Sequence, residues 1–419
     1  MVNSSDVRMK PGEPERHLGL TGRAFRLLVL ATVATFSGYL LLLPVVPLWA
    51  ARGGAGEVGA GATTAVFMLT TVVTQLAMPW LLDRGGYRWT FPAGALVLGL
   101  PAPLFLLTTD LWPLIAVSAV RGIGFGMITV VGAALAARLV PPDQIGRATG
   151  YYGFAVGIPN VVLLPFGVWL ALNAGFAPVF WIAALGPALG AVAAAGIWLA
   201  AGDGTGRSPG AGVRRAATAA TRGDRGRHLL SLAAPLLLML VAAIASSAVV
   251  TFLAIPLERA APVAAAALLG YGMASVATRW VAGTLSDRHG RPVLLVPSVL
   301  AVIAGMALAA AAVWPAGGGW AGPGAAGAVA VVAGAVLFGA GFGAVQNDTI
   351  TVMFRRSGPP RYGTASAAWN IGIDGGTGAG ALGLGIVIQA LGYGPGFALT
   401  ALAMALCLPA AVRVARRAG

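Results

Sequence analysis

Long apolar runs, broken by short polar segments, set the pattern of this chain. Twelve such runs fall near residues 25–49, 58–82, 90–109, 112–137, 148–172, 177–201, 229–254, 262–285, 293–313, 325–353, 364–391 and 395–412. A run of about 20 apolar residues crosses the hydrocarbon of a bilayer as one α-helix. The pattern therefore predicts an all-α membrane protein with twelve spans. The first run is longer than the roughly 7–15-residue core of a signal peptide, so it reads as a retained helix. A polar tail over residues 1–24 precedes it, and a short one over 413–419 follows the last run.

The polar segments carry their charge unevenly. With the N-terminus taken as cytoplasmic, the tails and alternate loops hold 23 of the 27 Arg and Lys residues, and the opposite loops hold only Arg52 and Arg259. Positive charge marks the cytoplasmic side, so both termini are expected inside. Residues 202–228 form the longest inside segment, rich in Gly, Ala and Arg and without apolar periodicity. They read as a linker between an N-terminal six-helix bundle over 25–201 and a C-terminal one over 229–412.

Composition agrees and removes other classes. The chain has 419 residues, 58% hydrophobic and 10% charged, with a mean hydropathy of +0.84. A soluble domain carries about 25% charged residues, so lipid must be the solvent for much of this surface. The net charge of +14 lies between the spans and implies no nucleic-acid partner. The single lysine, Lys10, stands in the tail without the glycine-rich context of a phosphate-binding loop, so no nucleotide partner is expected. One cysteine, Cys407, permits no intrachain disulfide. The three histidines, His17, His228 and His289, lie in tails or loops. No nucleophile, metal or cofactor constellation is apparent, and the chain does not read as an enzyme.

The two halves repeat one another. Gly122-Ile-Gly-Phe-Gly126 matches Gly339-Ala-Gly-Phe-Gly343 at an offset of 217, and Asp83 meets Asp287 at an offset of 204. The difference is absorbed by the Gly-rich loop 315–324. A basic loop phrase follows the second run of each half. The second copy runs from Gly283 through Asp287, Arg288 and Gly290 to Arg291 and Pro292; the first holds Pro79, Asp83, Arg84, Gly86, Tyr87 and Arg88. Gly283 lets helices approach closely. Asp287 can accept hydrogen bonds from a neighbouring helix N-terminus, Gly290 permits a tight turn, and Arg288 and Arg291 hold the inner face.

This duplicated phrase, Gly-x-x-x-Asp-x-x-Gly-Arg-Arg/Pro, resembles the loop between helices two and three of the major facilitator superfamily of secondary transporters. The resemblance implies two pseudo-symmetric six-helix bundles that rock about a central site near the midplane. It also implies a gating role for both loops, which stabilise the outward-open state. The first copy departs from the pattern at Pro79 and Tyr87, so its lock is expected to be the weaker. Arg279, one turn before Gly283, is expected to join the gating network or to reach for the headgroups.

A charge inside a span costs about 2.5–3.5 kcal/mol on insertion scales and is a functional hypothesis by default. Besides Arg279, three lie well inside the runs: Arg121, Asp348 and Asp374. Asp374, with Asn370 one turn earlier, falls near the midplane. An acid there can be neutral on one side of the membrane and charged on the other, as proton coupling requires, or it can pair with an arginine or bind substrate. Asp348 follows Gln346 and Asn347, two turns from Arg355 and Arg356, and is a second coupling candidate or half of an ion pair closing the inner gate. Arg121 is expected to line the cavity and meet an anion, or to pair with an acid. The family's helix-4 pattern Arg-x-x-Gln-Gly-x-Gly places Ser118 at its arginine and Arg121 at its glutamine. Tyr39, Asn347, Trp369 and Asn370 complete the expected cavity, with Phe36, Tyr151 and Tyr152 as further aromatic candidates.

Pro44 and Pro47 form a Pro-x-x-Pro in the first run, which resembles the twelve-span drug:proton antiporter branch; helix 5, with Asn160, Leu164, Pro165 and Gly167, matches that branch's signature only in part. The leading expectation is a bacterial inner-membrane, monomeric exporter. It would move hydrophobic or amphipathic small molecules against protons and take no cofactor. A proton symporter importing a sugar or organic acid, and a non-transporting sensor or scaffold, stay open.

Overall fold

The structure is a computed structural model and describes residues 19–141, 144–201, 222–314, 324–358 and 361–417, without the side chains of 83–85, 145–146, 149, 200–201, 222–230, 363 and 417. Twelve helices are long and apolar enough to cross a membrane. They are α1 Arg23–Arg52, α2 Gly56–Leu82, α3 Gly86–Leu107, α4 Leu111–Arg138, α5 Gly150–Asn173, α6 Phe176–Leu199, α7 Ser231–Phe252, α8 Glu258–His289, α9 Leu295–Val313, α10 Ala325–Ser357, α11 Thr364–Leu391 and α12 Tyr393–Arg416. Each expected span is present, and its ends move by local chemistry. Helix continues from α2 almost into α3, with the turn made at Gly86 (φ 64°, ψ 177°). The helix containing α7 starts at Arg222 rather than at 229, although Gly223, Asp224 and Gly226 are poor helix formers. The expected linker is thereby shortened, and its remainder lies outside the described residues. α12 breaks at Cys407, two residues before Pro409, which can neither donate a backbone N–H nor tolerate the carbonyl four residues back.

Lipid-facing and core residues separate by the face of each helix. Leu96 on α3, Leu185 on α6, Leu300 on α9 and Leu402 on α12 are exposed large apolar side chains, as are Leu69 on α2 and Ile158 on α5. Phe91, Phe180, Phe252, Phe338 and Phe397 are fully buried.

Glycine ladders pack the two six-helix bundles in the same way. A Cβ on Gly124 of α4 would fall 2.5 Å from the Gly94 carbonyl oxygen on α3; on Gly341 of α10 it would fall 2.5 Å from the Ser298 carbonyl oxygen on α9. Gly122 meets the Phe67 carbonyl on α2, and Gly339 meets the Tyr271 carbonyl on α8. Gly126 and Gly343 meet the carbonyls of Thr71 and Ser275. Every pair follows the offsets of 217 on α4 and α10 and 204 on the facing helices, so the extra residues of the second half sit between α9 and α10.

With twelve crossings, the start of α1 and the end of α12 share one end of the bundle. At the far end the halves are tied together. Arg52 at the end of α1 pairs with Glu258 at the start of α8. The Val58 N–H donates to Gln389 Oε1 at 3.2 Å, and the Tyr393 hydroxyl donates to Glu57 Oε1 at 3.1 Å. Among the described residues, one further hydrogen bond joins the halves, and it lies deeper, between α2 and α11.

Candidate functional site

The deeper bond is built on Asp374. Its Oδ2 accepts from Gln75 Nε2 at 2.8 Å, and the same nitrogen lies 3.3 Å from Thr129 Oγ1 on α4. Gln75 Oε1 is buried and has no hydrogen-bond partner. The expected arginine partner of Asp374 is absent: among the described residues no basic side chain lies within 4 Å of it. Asn370, one turn before Asp374, is exposed and donates back to the Ser366 carbonyl, as helical amides do when nothing else is in reach. Gln75 is an uncharged residue in an apolar run, so a search for intramembrane charges passes over it. The only signal was its place among Thr70, Thr71 and Thr74.

Arg279 stands on α8 at the position that corresponds to Gln75. Its Nη1 donates to Gln346 Oε1 on α10 at 2.9 Å, and its guanidinium lies 5.8 Å from the centre of the Trp369 ring on α11. It makes no described contact with the turn after α8, so the expected membership of the gating network is not how the side chain is used here. Trp369 is buried, with Nε1 donating to Thr349 Oγ1 at 3.0 Å.

Arg121 is 3% exposed. Its Nε donates to the Leu98 carbonyl at 3.0 Å and its Nη2 to the Gly38 carbonyl at 2.8 Å. The first belongs to the last α-helical turn of α3, where carbonyls lack intrahelical partners. The guanidinium thus caps one helix and grips another, α1, between Phe67 and Phe105. No acid partners it among the described residues, contrary to one expectation. The cavity beside it, lined by Tyr39, Thr63, Phe67 and Ser118 among others, measures about 20 Å³, room for a water but not for a drug-sized molecule. Tyr39 itself stacks on Phe125 with ring centres 4.0 Å apart, in a cluster with Phe36 and Phe67. Tyr271, Phe338 and Phe342 make the matching cluster in the second half.

Asp348 is fully buried on α10. Asn347 Nδ2 lies 3.4 Å from its Oδ1, the Leu294 N–H faces the carboxylate, and the aspartate Oδ2 meets no close donor among the described residues. The expected ion pair with Arg355 or Arg356 is not formed. Both arginines take backbone carbonyls instead: Arg355 those of Ser286 and Gly290 at the end of α8, Arg356 that of Ser231 at 2.6 Å. The end of a helix leaves carbonyls without helical donors, and Pro235, four residues after Ser231, leaves that carbonyl without one too.

Each loop phrase turns on a glycine. Gly86 and Gly290 correspond and both take a positive φ, 64° and 67°, but ψ differs, 177° against 10°. Ser286 Oγ donates to the Arg291 carbonyl at 3.2 Å across the second turn. Gly283 packs beside Asn347, whose Oδ1 would lie 3.4 Å from an added Cβ. Asp287, Arg288 and Arg291 are exposed, and Asp287 has no hydrogen bond or ion pair among the described residues, so the expected helix cap is not made in this conformation. In the first turn Tyr87 is buried and Arg138, the counterpart of Arg355, lies 4.3 Å from its ring centre. That cation–π contact supplies what a basic residue could not. Arg88 is exposed beside Trp89. The side chains of Asp83 and Arg84 lie outside the described residues.

A family model described as Major Facilitator Superfamily matches residues 28–347. Among curated proteins, the inner membrane transport protein YajR of Escherichia coli is 27% identical over 43% of this chain and 38% of its own length. The multidrug resistance protein MdtG of Yersinia enterocolitica is 29% identical over 36% of this chain and 37% of its own. An uncharacterized MFS-type transporter of Mycobacterium tuberculosis, Rv1877, is 30% identical over 40% and 23%. The chain thus matches well under half the length of these relatives. Among solved structures, a POT family transporter in complex with 5-aminolevulinic acid superposes with a TM-score of 0.71 at 14% identity, over 96% of this chain and 98% of that one. An inward-facing bacterial homologue of the human lysosomal transporter Spinster gives 0.65 at 16%, over 94% and 95%.

Proposed function

This chain belongs to the major facilitator superfamily, and from that premise we propose that it is a proton-coupled exporter of hydrophobic or amphipathic small molecules, working by alternating access. The observation that carries the reading is Asp374, an acid deep in the seam between the halves, held by an amide of the opposite half and, among the described residues, by no cation. Protonation of that acid alters this deep polar bond between the bundles, and so changes the relative stability of their two arrangements. The name of the MdtG relative, a multidrug resistance protein, supports the export of drug-like molecules.

The arginine distribution supports a reading with the start of α1 and the end of α12 on the cytoplasmic side and the far end outside. The conformation is then closed outside by the ties at Arg52, Val58 and Tyr393. Asp287 is unengaged in it, as expected if the loop network locks the opposite state. Import of an organic acid with protons is the second reading, favoured by the exposed guanidinium of Arg279.

Accumulation of a panel of fluorescent dyes and antibiotics in an efflux-deficient bacterium tests the proposal. Cells expressing the protein are expected to accumulate less, and the difference is expected to vanish with Asp374→Asn or a protonophore. Unchanged transport and pH dependence in Asp374→Asn would remove Asp374 from the mechanism.

A further inference from the structure

The two seams between the halves have diverged in charge. Gln75 on α2 corresponds to Arg279 on α8 by the offset of 204, and Asp374 on α11 corresponds to Gly157 on α5 by the offset of 217. One seam joins amide to acid at 2.8 Å. The other brings Gly157 only to van der Waals distance of Val276, 4.0 Å from an added Cβ, and leaves an arginine one turn away with no acid to meet among the described residues.

Arg279 is exposed, yet it does not reach for lipid headgroups. It lies ten residues before the end of α8 at His289, about 15 Å along the axis. Its two described contacts, to Gln346 and over Trp369, are both with helices of its own bundle. A guanidinium offers five N–H donors in a planar fork suited to carboxylate and phosphate. One described hydrogen bond uses a single donor. Beside the fork, the indole of Trp369 is fixed by its bond to Thr349 and, at 7% exposed, offers a small part of its apolar surface.

We propose that Arg279, Gln346 and Trp369 form a substrate subsite for anionic amphiphiles: a carboxylate or phosphate head on the Arg279 fork, with the apolar body against Trp369. This rests on the reading of the chain as a transporter and names its substrate class. The division of labour follows from the seams. The anion sits on the α8 side, and Asp374 on the α2–α11 side is left to carry the proton. Arg121 adds no second anion site: it is buried, two of its donors serve Leu98 and Gly38, and its cavity admits only a water. A cationic amphiphile meets the same apolar plane beside a like charge.

Equilibrium binding to the purified full chain in phosphatidylcholine nanodiscs tests this without any flux, so its failure is distinct from failure of proton-coupled export. The probes are decanoate, decyl phosphate, decanol and decylammonium, which share one tail and differ in head charge. Decanoate and decyl phosphate are expected to bind at least tenfold tighter than decanol or decylammonium. Arg279→Gln is expected to abolish that preference, and Arg279→Lys to retain part of it. Equal binding of decylammonium and decanoate by the unaltered protein overturns the proposal, and this comparison needs no variant to fold. So does Arg279→Gln that elutes as a monodisperse protein and still prefers decanoate. Repeating the measurement with phosphatidylglycerol in the discs separates two sources of the anion. Competition by the lipid places a headgroup on the fork; its absence assigns the fork to free amphiphiles.

Discussion

At the scale of single residues, the membrane interior makes unpaired polar atoms decisive. Gln75 leaves its Oε1 buried and unpartnered while its nitrogen serves Asp374. A buried unmet acceptor costs about 1–3 kcal/mol, so this amide is retained against its own solvation. Replacing it with Leu removes the one described hydrogen bond on Asp374. Gln75→Leu is expected to lower transport about tenfold, of the order that an energy loss of this size implies, and to displace the pH profile. Asn370→Ala, one turn from Asp374 but bonded only to its own helix, is expected to leave the profile in place. Uptake into proteoliposomes across a pH series distinguishes them, and identical profiles for all three proteins would separate Gln75 from coupling.

At the scale of elements, helices approach where glycine exposes backbone. α4 meets α3 at Gly124, and α10 meets α9 at Gly341. Even a Cβ there would press on the facing main chain, which cannot rotate away as a side chain can. Gly124→Leu and Gly341→Leu are each expected to abolish the folded monodisperse peak in fluorescence-detected size-exclusion chromatography. Gly383→Leu, on α11 with nothing within 4 Å of its added Cβ, is expected to preserve it. Survival of both packing variants would show that the bundles tolerate a wider helix separation than the ladders imply.

For the whole molecule, the proposed balance between conformations is weighted at the far-end ties. The Arg52–Glu258 pair is about one-third exposed on each side (35% and 37%), and exposed pairs contribute about 0.2–1 kcal/mol. Breaking it should shift the population by no more than about fivefold. Glu258→Arg is expected to increase alkylation of a cysteine placed at Val58, measured with Cys407 replaced by Ser. The swap with Arg52→Glu is expected to reverse the increase. If the single change leaves alkylation unchanged, closure at this end is carried by the Gln389 and Tyr393 bonds and the α2–α11 packing.

The twelve spans, the duplicated halves and the turns at Gly86 and Gly290 were legible in the chain itself. Hydrocarbon demands about 20 apolar residues per crossing, and a repeated phrase keeps its register whatever surrounds it. Asp374, Arg279, Arg121 and Asp348 were also visible, because charge inside an apolar run stands out. Their partners were not. Gln75 meets Asp374 across 299 positions. Arg121 takes carbonyls rather than an acid, and Arg355 turns to the ends of α8 rather than to Asp348. A side chain's partner is chosen by distance and by which acceptors are left unpaired. Helix ends offer such carbonyls in every sequence, so only the packed arrangement decides which guanidinium reaches them.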